Sequence, residues 1–203
     1  MTYQIIECAQ GEPEWFAARA GIATASNFAD ILAQGKGLTR AKYMRRLAGE
    51  RITGEAEATY TNAAMERGKE MEAEARDWYA FTREVAPQQV GFVVNGRIGC
   101  SPDSLIGSDG GLEIKTAIPS VLIEAILRND FPPEHKAQVQ GSLMVAEREW
   151  WDLVIYWPKM PKFVVRAVPD KPYLENLRGE IARFNDELDA LVEKIKKYEP
   201  MAA

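Results

Sequence analysis

The chain has 203 residues, enough for one domain with a sizeable core and few for two. Its 46% hydrophobic and 27% charged residues are those of an ordinary folded protein, and no run nears the roughly 20 apolar residues a membrane span needs. A formal net charge of −5 weighs against nonspecific coating of DNA, which depends on Lys and Arg, but not against an enzyme that gathers carboxylates around a metal.

Met1-Thr2-Tyr3-Gln4 lacks the basic-then-apolar pattern of a secretion signal. Cys8 and Cys100 lie far apart and form no metal-ligand spacing, so the expectation is a cytoplasmic protein without a disulfide framework. Pro13 opens a short helix, Trp15 to Arg19, that stops at Gly21. Ser26 is placed to cap a helix from Asn27 to Gln34, and Thr39 one that runs to about Ile52. Asn62 to Thr82 reads as a long helix rich in Ala, Glu and Met. The periodicity then changes. Val90 to Val94 is a β-rich run, Asn95-Gly96 a hairpin signal, and Arg97 to Ser101 the returning strand.

A polar turn at 108–111 leads to a strand at Leu112 to Thr116. Helices follow near Ser120 to Leu127 and Glu134 to Glu147, then strands at Trp151 to Trp157 and Phe163 to Val168. The last segment is the clearest helix: Leu174, Leu177, Ile181, Phe184, Leu188, Leu191, Ile195 and Tyr198 share one face. Packing on the domain's own sheet is the plainer reading of that face, and a subunit contact the sharper one. No repeat or long linker divides the chain. The expectation is a single α/β domain over residues 1–203, a mixed central sheet flanked by helices.

Chemistry concentrates between Cys100 and Thr116. Asp103 ends one strand, and Glu113 and Lys115 alternate on the next, which puts both on one sheet face with Ile114 pointing away. A hairpin between the strands brings Asp103 against Glu113. Two carboxylates meeting at a sheet edge suit Mg²⁺, and the Ile114 carbonyl is a further oxygen ligand. Lys115 beside them orients or deprotonates an attacking water and offsets phosphate charge. In two-metal hydrolysis the ions lie about 3.5–4 Å apart. Asp, a gap, then Glu-x-Lys is common by chance, and surface charges alternating on a strand are the ordinary alternative. Here Leu112 and Ile114 alone make a thin apolar face, and Pro102 sits at a strand end.

Cys-Ser-Pro-Asp at 100–103 followed by Gly-Leu-Glu-Ile-Lys at 111–115 resembles the catalytic signature of the lambda-type alkaline exonucleases, the viral recombinase nucleases of the restriction-endonuclease-like superfamily. Three further blocks are similar. They are Trp15 to Ser26, with its Trp, Arg, Gly and Thr-Ala-Ser; Gly68 to Arg76, matching Gly-Lys-x-x-Glu-x-x-Ala-Arg; and Ala137-Gln138-Val139-Gln140. The resemblance implies that Asp103 and Glu113 bind the metals with the Ile114 carbonyl, that Lys115 serves the water, that Glu72 reaches the second metal side, and that Gln138 positions the water or the metal shell. Arg19, Ser26 and Ser101 correspond to a pocket for the 5′-phosphate, a role suited to a guanidinium and hydroxyls. Trp15 corresponds to the residue that helps separate terminal base pairs, although a core tryptophan is an equal reading. Where the family's prototype has a longer basic loop that grips DNA, Lys36 in a short stretch takes part of that task. His135, the only histidine, stands where the prototype carries a tyrosine; contact with substrate is one reading of it and a metal or general-base role the weaker one. Cys100 reads as strand packing.

The implied enzyme is a Mg²⁺-dependent 5′-to-3′ exonuclease, Mn²⁺ substituting, that acts on double-stranded DNA ends and leaves a 3′ tail for phage-type single-strand-annealing recombination. A ring-shaped homotrimer and a single-strand annealing protein as partner are implied with it. An endonuclease or nickase of the same superfamily, and a catalytically dead DNA-end-binding protein, are the competing readings.

Overall fold

Two tight hairpins set the register of the strands that carry the site. Phe92–Asn95 (β4) and Ile98–Cys100 (β5) pair antiparallel, with Asn95 opposite Ile98. Their loop is therefore Gly96-Arg97, one residue beyond the expected Asn95-Gly96, and Gly96 adopts the left-handed φ of +61°. Asn95 stays in its strand, donating its amide to the Val145 carbonyl at 3.2 Å. The second hairpin joins Ser104–Ile106 (β6) to Gly110–Thr116 (β7) through residues 107–109, with Gly107 at φ +53°.

The computed structural model describes residues 3–33, 38–57 and 63–199. Among these, the α/β expectation holds, with mixed sheets flanked by helices, but the strands divide between two sheets. Gln4–Ile6 (β1), β4, β5 and Ala23–Thr24 (β2) form the first, in the order β1-β4-β5-β2, with β2 parallel to β5. The second has the order β3-β6-β7-β8-β9, where β3 is Pro87–Gln88, β8 is Trp150–Tyr156 and β9 is Phe163–Ala167. β7 and β8 run parallel, and their crossover contains Pro119–Arg128 (α5) and Lys136–Val145 (α6).

The expected helices form, with shifted starts. Pro13–Arg19 (α1) ends before Gly21, whose φ is +70°. Ser26 caps no helix. It lies inside a 3-10 turn, Ala25–Asn27, that precedes Phe28–Leu32 (α2), and its hydroxyl lies 3.3 Å from that of Thr24. Thr39 falls within Leu38–Thr53 (α3) rather than before it. Ala63–Arg83 (α4) packs Met71, Ala75 and Tyr79 against Leu112 and Ile114 of β7. That leaves Glu113 and Lys115 for the opposite face, toward α6.

Lys171–Lys196 (α7) is capped by Asp170, which accepts from the Tyr173 N–H at 3.2 Å. Its stripe from Leu174 through Leu188 is buried against the protein's own helices, with Phe184 stacked on Tyr43 of α3. Val192 is buried beside the partly buried Leu191, which packs against the same core, while Ile195 and Tyr198 are exposed. Among the described residues no helix is long and apolar enough to cross a membrane.

Candidate active site

The register of the second hairpin, Ser104 opposite Leu112, brings Asp103 beside the β7 residues that follow. Asp103 does not end the strand returning from Gly96, as expected. That strand, β5, belongs to the other sheet, and Asp103 immediately precedes β6. The anticipated meeting with Glu113 survives because β6 supplies the hairpin. One Asp103 oxygen accepts the Ile114 N–H at 2.5 Å.

Glu113 is buried at 3% exposure. Its Oε1 receives Lys115 Nζ at 2.8 Å and Gln138 Nε2 at 2.6 Å. Its Oε2 is buried without a hydrogen-bond partner. Glu72 lies close enough to raise the Asp103 pKa and is itself paired with Arg76 one turn along α4. The electrostatics follow from this crowding. Burial, then Glu113 and Glu72, push the Asp103 pKa well above the usual carboxylate range. Burial likewise raises Glu72, against the pull of Arg76. Burial opposes the Lys115 ammonium, but the hydrogen-bonded Glu113 with Asp103 and Glu72 outweighs it, and the Lys115 pKa is raised.

Among the described residues no three His, Cys, Asp or Glu side chains form a ready-made metal cage. Glu72 is held by Arg76, and one Glu113 oxygen already serves Lys115 and Gln138. The donor set nevertheless fits a hard divalent cation. Such an ion binds through one or two carboxylates and keeps several waters, and here a buried carboxylate oxygen is unpartnered beside a second carboxylate held reluctant to ionise.

The second half of the site is a pocket of about 200 Å³ lined by Trp15, Arg19, Ser26, Ser101 and Gln138, among others. It unites all four of the expected phosphate and end-binding residues that lie in described segments. Ser101 Oγ is the hub, receiving Arg19 at 2.6 Å and the Trp15 indole N–H at 2.9 Å. The Arg19 guanidinium lies 4.1 Å from the centre of the Trp15 ring, and no carboxylate pairs with it among the described ion pairs. Burial lowers its pKa, with Tyr43 and other neighbours acting in both directions, and a guanidinium keeps its charge regardless. Trp15 is thus a half-buried wall that orients Arg19, with both its face and its N–H engaged. Lys36 lies outside the described residues.

The sequence reading missed the support behind this pocket. Between Arg19 and Ser26 the backbone rests on α3. Glu50 accepts the Gly21 N–H at 2.8 Å, Arg51 donates to the Gly21 carbonyl at 2.7 Å, and the Tyr43 hydroxyl accepts the Thr24 N–H at 3.0 Å. Arg51 is tied in turn to Asp189 of α7 at 2.6 Å. A Cβ on Gly21 would lie 2.4 Å from Arg51 Cγ, so this position requires glycine for space as well as φ. The charged Glu50-Arg51 pair inside an amphipathic helix was the available signal, but it reads equally as surface.

His135 is half-buried in a cavity it shares with Lys115, and burial with the nearby lysine lowers its pKa. Cys100 is buried, and burial raises its thiol far above the range of a nucleophile, in keeping with packing.

This fold and this carboxylate-lysine centre define a nuclease of the restriction-endonuclease-like kind. The chain belongs to the YqaJ-like viral recombinase domain family, which matches residues 14–149 and so includes every described site residue. Its structure is similar to that of LHK-Exo in complex with dAMP, at 35% identity and TM-score 0.84 over 92% of this chain and 97% of that one. A second structure, of the alkaline exonuclease LHK-Exo from Laribacter hongkongensis, is 34% identical with TM-score 0.83 over the same shares of 92% and 97%. A phage-related exonuclease from Haemophilus somnus 129PT shares the fold at 15% identity and TM-score 0.64, over 86% of this chain and 96% of that one. Among individually curated proteins none matches. The expected class, a DNA exonuclease, is the class of this family's solved relatives.

Proposed function

We propose that this chain is a divalent-metal-dependent 5′-to-3′ exonuclease that digests one strand of duplex DNA from an end and leaves a 3′ single-stranded tail, in phage-type single-strand-annealing recombination. The observation that carries this reading is the junction of the two half-sites. Gln138 lines the Arg19 pocket and donates to Glu113. A strand whose terminal 5′-phosphate sits on Arg19, Ser26 and Ser101 presents its next phosphodiester to the carboxylates. The relative with bound dAMP, a nucleoside 5′-monophosphate, supports the reading, because such a molecule is what a terminal cut releases.

Asp103 and Glu113, with the Ile114 carbonyl, would hold Mg²⁺, for which Mn²⁺ substitutes. Bound there, the metal supplies positive charge to the phosphate oxygens and acidity to water. The chain's own residues do the rest. Lys115 donates to the attacking water and offsets phosphate charge, its ammonium held by the surrounding carboxylates. Gln138 fixes Glu113, and Glu72, once free of Arg76, completes the acidic shell. Water oxygen bonds to phosphorus and loses a proton to solvent, the P–O3′ bond breaks as O3′ takes up a proton from solvent, and the released nucleotide keeps its 5′-phosphate.

Digestion of end-labelled linear and closed circular duplexes with Mg²⁺ tests this. Mononucleotides released from 5′ ends, with the circle intact, are expected. Cutting of the circle points instead to an endonuclease or nickase, and end binding without cutting to a dead site. A single copy of this size does not encircle a duplex. A homotrimer acting with a single-strand annealing protein follows from the family likeness, and light scattering that finds a monomer digesting processively would remove the ring.

A further inference from the structure

The pocket at Arg19 accounts for the DNA on the 5′ side of the cut and leaves the 3′ side open. Two other cavities adjoin the centre. One, of about 480 Å³, is lined by Glu72 and Asp103, with Arg76 already paired to Glu72. Glu72 and Asp103 there belong to the acidic shell of the centre itself. The other, of about 380 Å³, opens on Lys115 and is lined by His135 and Arg128 with an apolar wall of Val121, Ala125, Pro132 and Ile155. Its two carboxylates, Glu124 and Glu134, are matched by Lys115 and Arg128, and Glu124 is bonded to Arg128 at 2.8 Å. Pockets of about 300–1,000 Å³, mostly apolar with a few polar groups, hold small organic ligands.

We infer that this second cavity takes the nucleoside immediately 3′ of the scissile phosphate, with His135 as its hydrogen-bonding contact. The assignment rests on the exonuclease reading above. Lys115 faces both the carboxylates and this cavity, so a phosphate beside its ammonium carries its 3′ sugar and base toward Val121 and Ile155. The apolar wall of Val121, Ala125, Pro132 and Ile155 accepts the base. A neutral imidazole offers one N–H donor and one acceptor, enough to fix a sugar or base edge without adding charge. The same residues give the strand a resting place between successive cuts. After each release the second nucleotide's phosphate must move to Arg19, and the third nucleoside takes the vacated cavity.

The test uses the full-length protein with Mg²⁺ and 5′-phosphorylated duplexes whose second nucleotide is either normal or abasic, scored by release of the first nucleotide. Wild type is expected to show a KM about tenfold lower for the normal duplex, the size of one lost apolar contact set. Val121→Trp fills the cavity from a position 46% exposed, where the fold tolerates it. It is expected to raise KM on the normal duplex toward the abasic value, so that the preference between the two duplexes shrinks. His135→Leu is expected to raise KM on the normal duplex severalfold, and His135→Gln to restore part of it. Equal KM values for both duplexes in wild type, or an unchanged preference in Val121→Trp, overturn the subsite while leaving the exonuclease intact. Absence of digestion from 5′ ends by wild type overturns both.

Discussion

The two halves of the site are built on opposite plans. In the Arg19 pocket Ser101 accepts from both Arg19 and Trp15, and the guanidinium lies over the Trp15 ring with no carboxylate paired to it among the described ion pairs. Around Asp103 the groups conflict: Asp103 and Glu72 are both pushed up by burial and by Glu113, and a buried Glu113 oxygen has no partner. An orphaned buried polar atom costs about 1–3 kcal/mol. On the proposed function the first half awaits DNA with its central groups already engaged, while the second awaits a cation to satisfy its buried oxygen. Recognition of the end and hydrolysis are therefore separable by mutation.

The largest expected effect tests the unsatisfied half. Asp103→Ala and Glu113→Ala abolish Mg²⁺-dependent cleavage, by a thousandfold or more, about 4 kcal/mol at 1.4 kcal/mol per decade, with circular dichroism unchanged. Asp103→Asn sharpens the point. The folded pKa of Asp103 is raised above its unfolded value of about 3.9, so between the two the native state keeps a proton the unfolded chain has lost. Its stabilising contribution is whole below about pH 4 and declines as pH rises through the raised value. Asp103→Asn should flatten that decline, raise Tm at pH 7 without divalent ion, and lose the stabilisation that Mg²⁺ gives wild type. Thermal unfolding against pH, with and without Mg²⁺, measures all three. A variant less stable than wild type at pH 7 would show that Asp103 is not under strain.

A smaller effect belongs to the finished half. Arg19→Ala removes a charge-assisted phosphate contact of about 1.5–3 kcal/mol, so digestion of 5′-phosphorylated ends slows about tenfold or more. Ends carrying a 5′-hydroxyl slow much less. Rates on matched duplexes with and without the terminal phosphate give the ratio, and a mutant that keeps the wild-type preference takes Arg19 out of the anchor.

The smallest effect reaches the pocket from behind. Glu50→Ala strands the buried Gly21 N–H, lowering stability by about 1–3 kcal/mol and loosening the segment between Arg19 and Ser26. The preference for phosphorylated ends should fall severalfold through KM, while kcat on 5′-hydroxyl ends holds. Glu50→Gln, which keeps the acceptor, should recover most of both. Loss of Tm with an unchanged phosphate preference would make Glu50 a matter of stability alone.

The same division governs what the sequence revealed. The hairpin that joins Asp103 to Glu113 is local: period-two alternation and a glycine-bearing turn are printed within fifteen residues, and the meeting of the two carboxylates was legible even though the strand carrying Asp103 was misassigned. Arg19, Ser101 and Gln138 were legible only through their family blocks, since no local pattern links residues more than 80 positions apart. Ser26 was read as a helix cap because a hydroxyl before an apolar run usually is one, and here a 3-10 turn intervenes. The Glu50-Arg51 pair gave only an ambiguous sign, because a side chain that serves a distant backbone looks like any charge on a helix. The division of strands between two sheets was hidden for a similar reason: β1, β2 and β3 are two or three residues long.

The parallel pairing of β7 with β8 has a consequence for how the site comes into being. The carboxylate hairpin closes over a three-residue loop and forms with little loss of chain entropy, whereas the seven-residue register of β7 on β8 waits for the intervening 33 residues to fold back. Gln138 arrives with that crossover, as does the wall of α5. The carboxylate hairpin is therefore local in the chain, and the link from Glu113 through Gln138 to the Arg19 pocket is made only with the crossover.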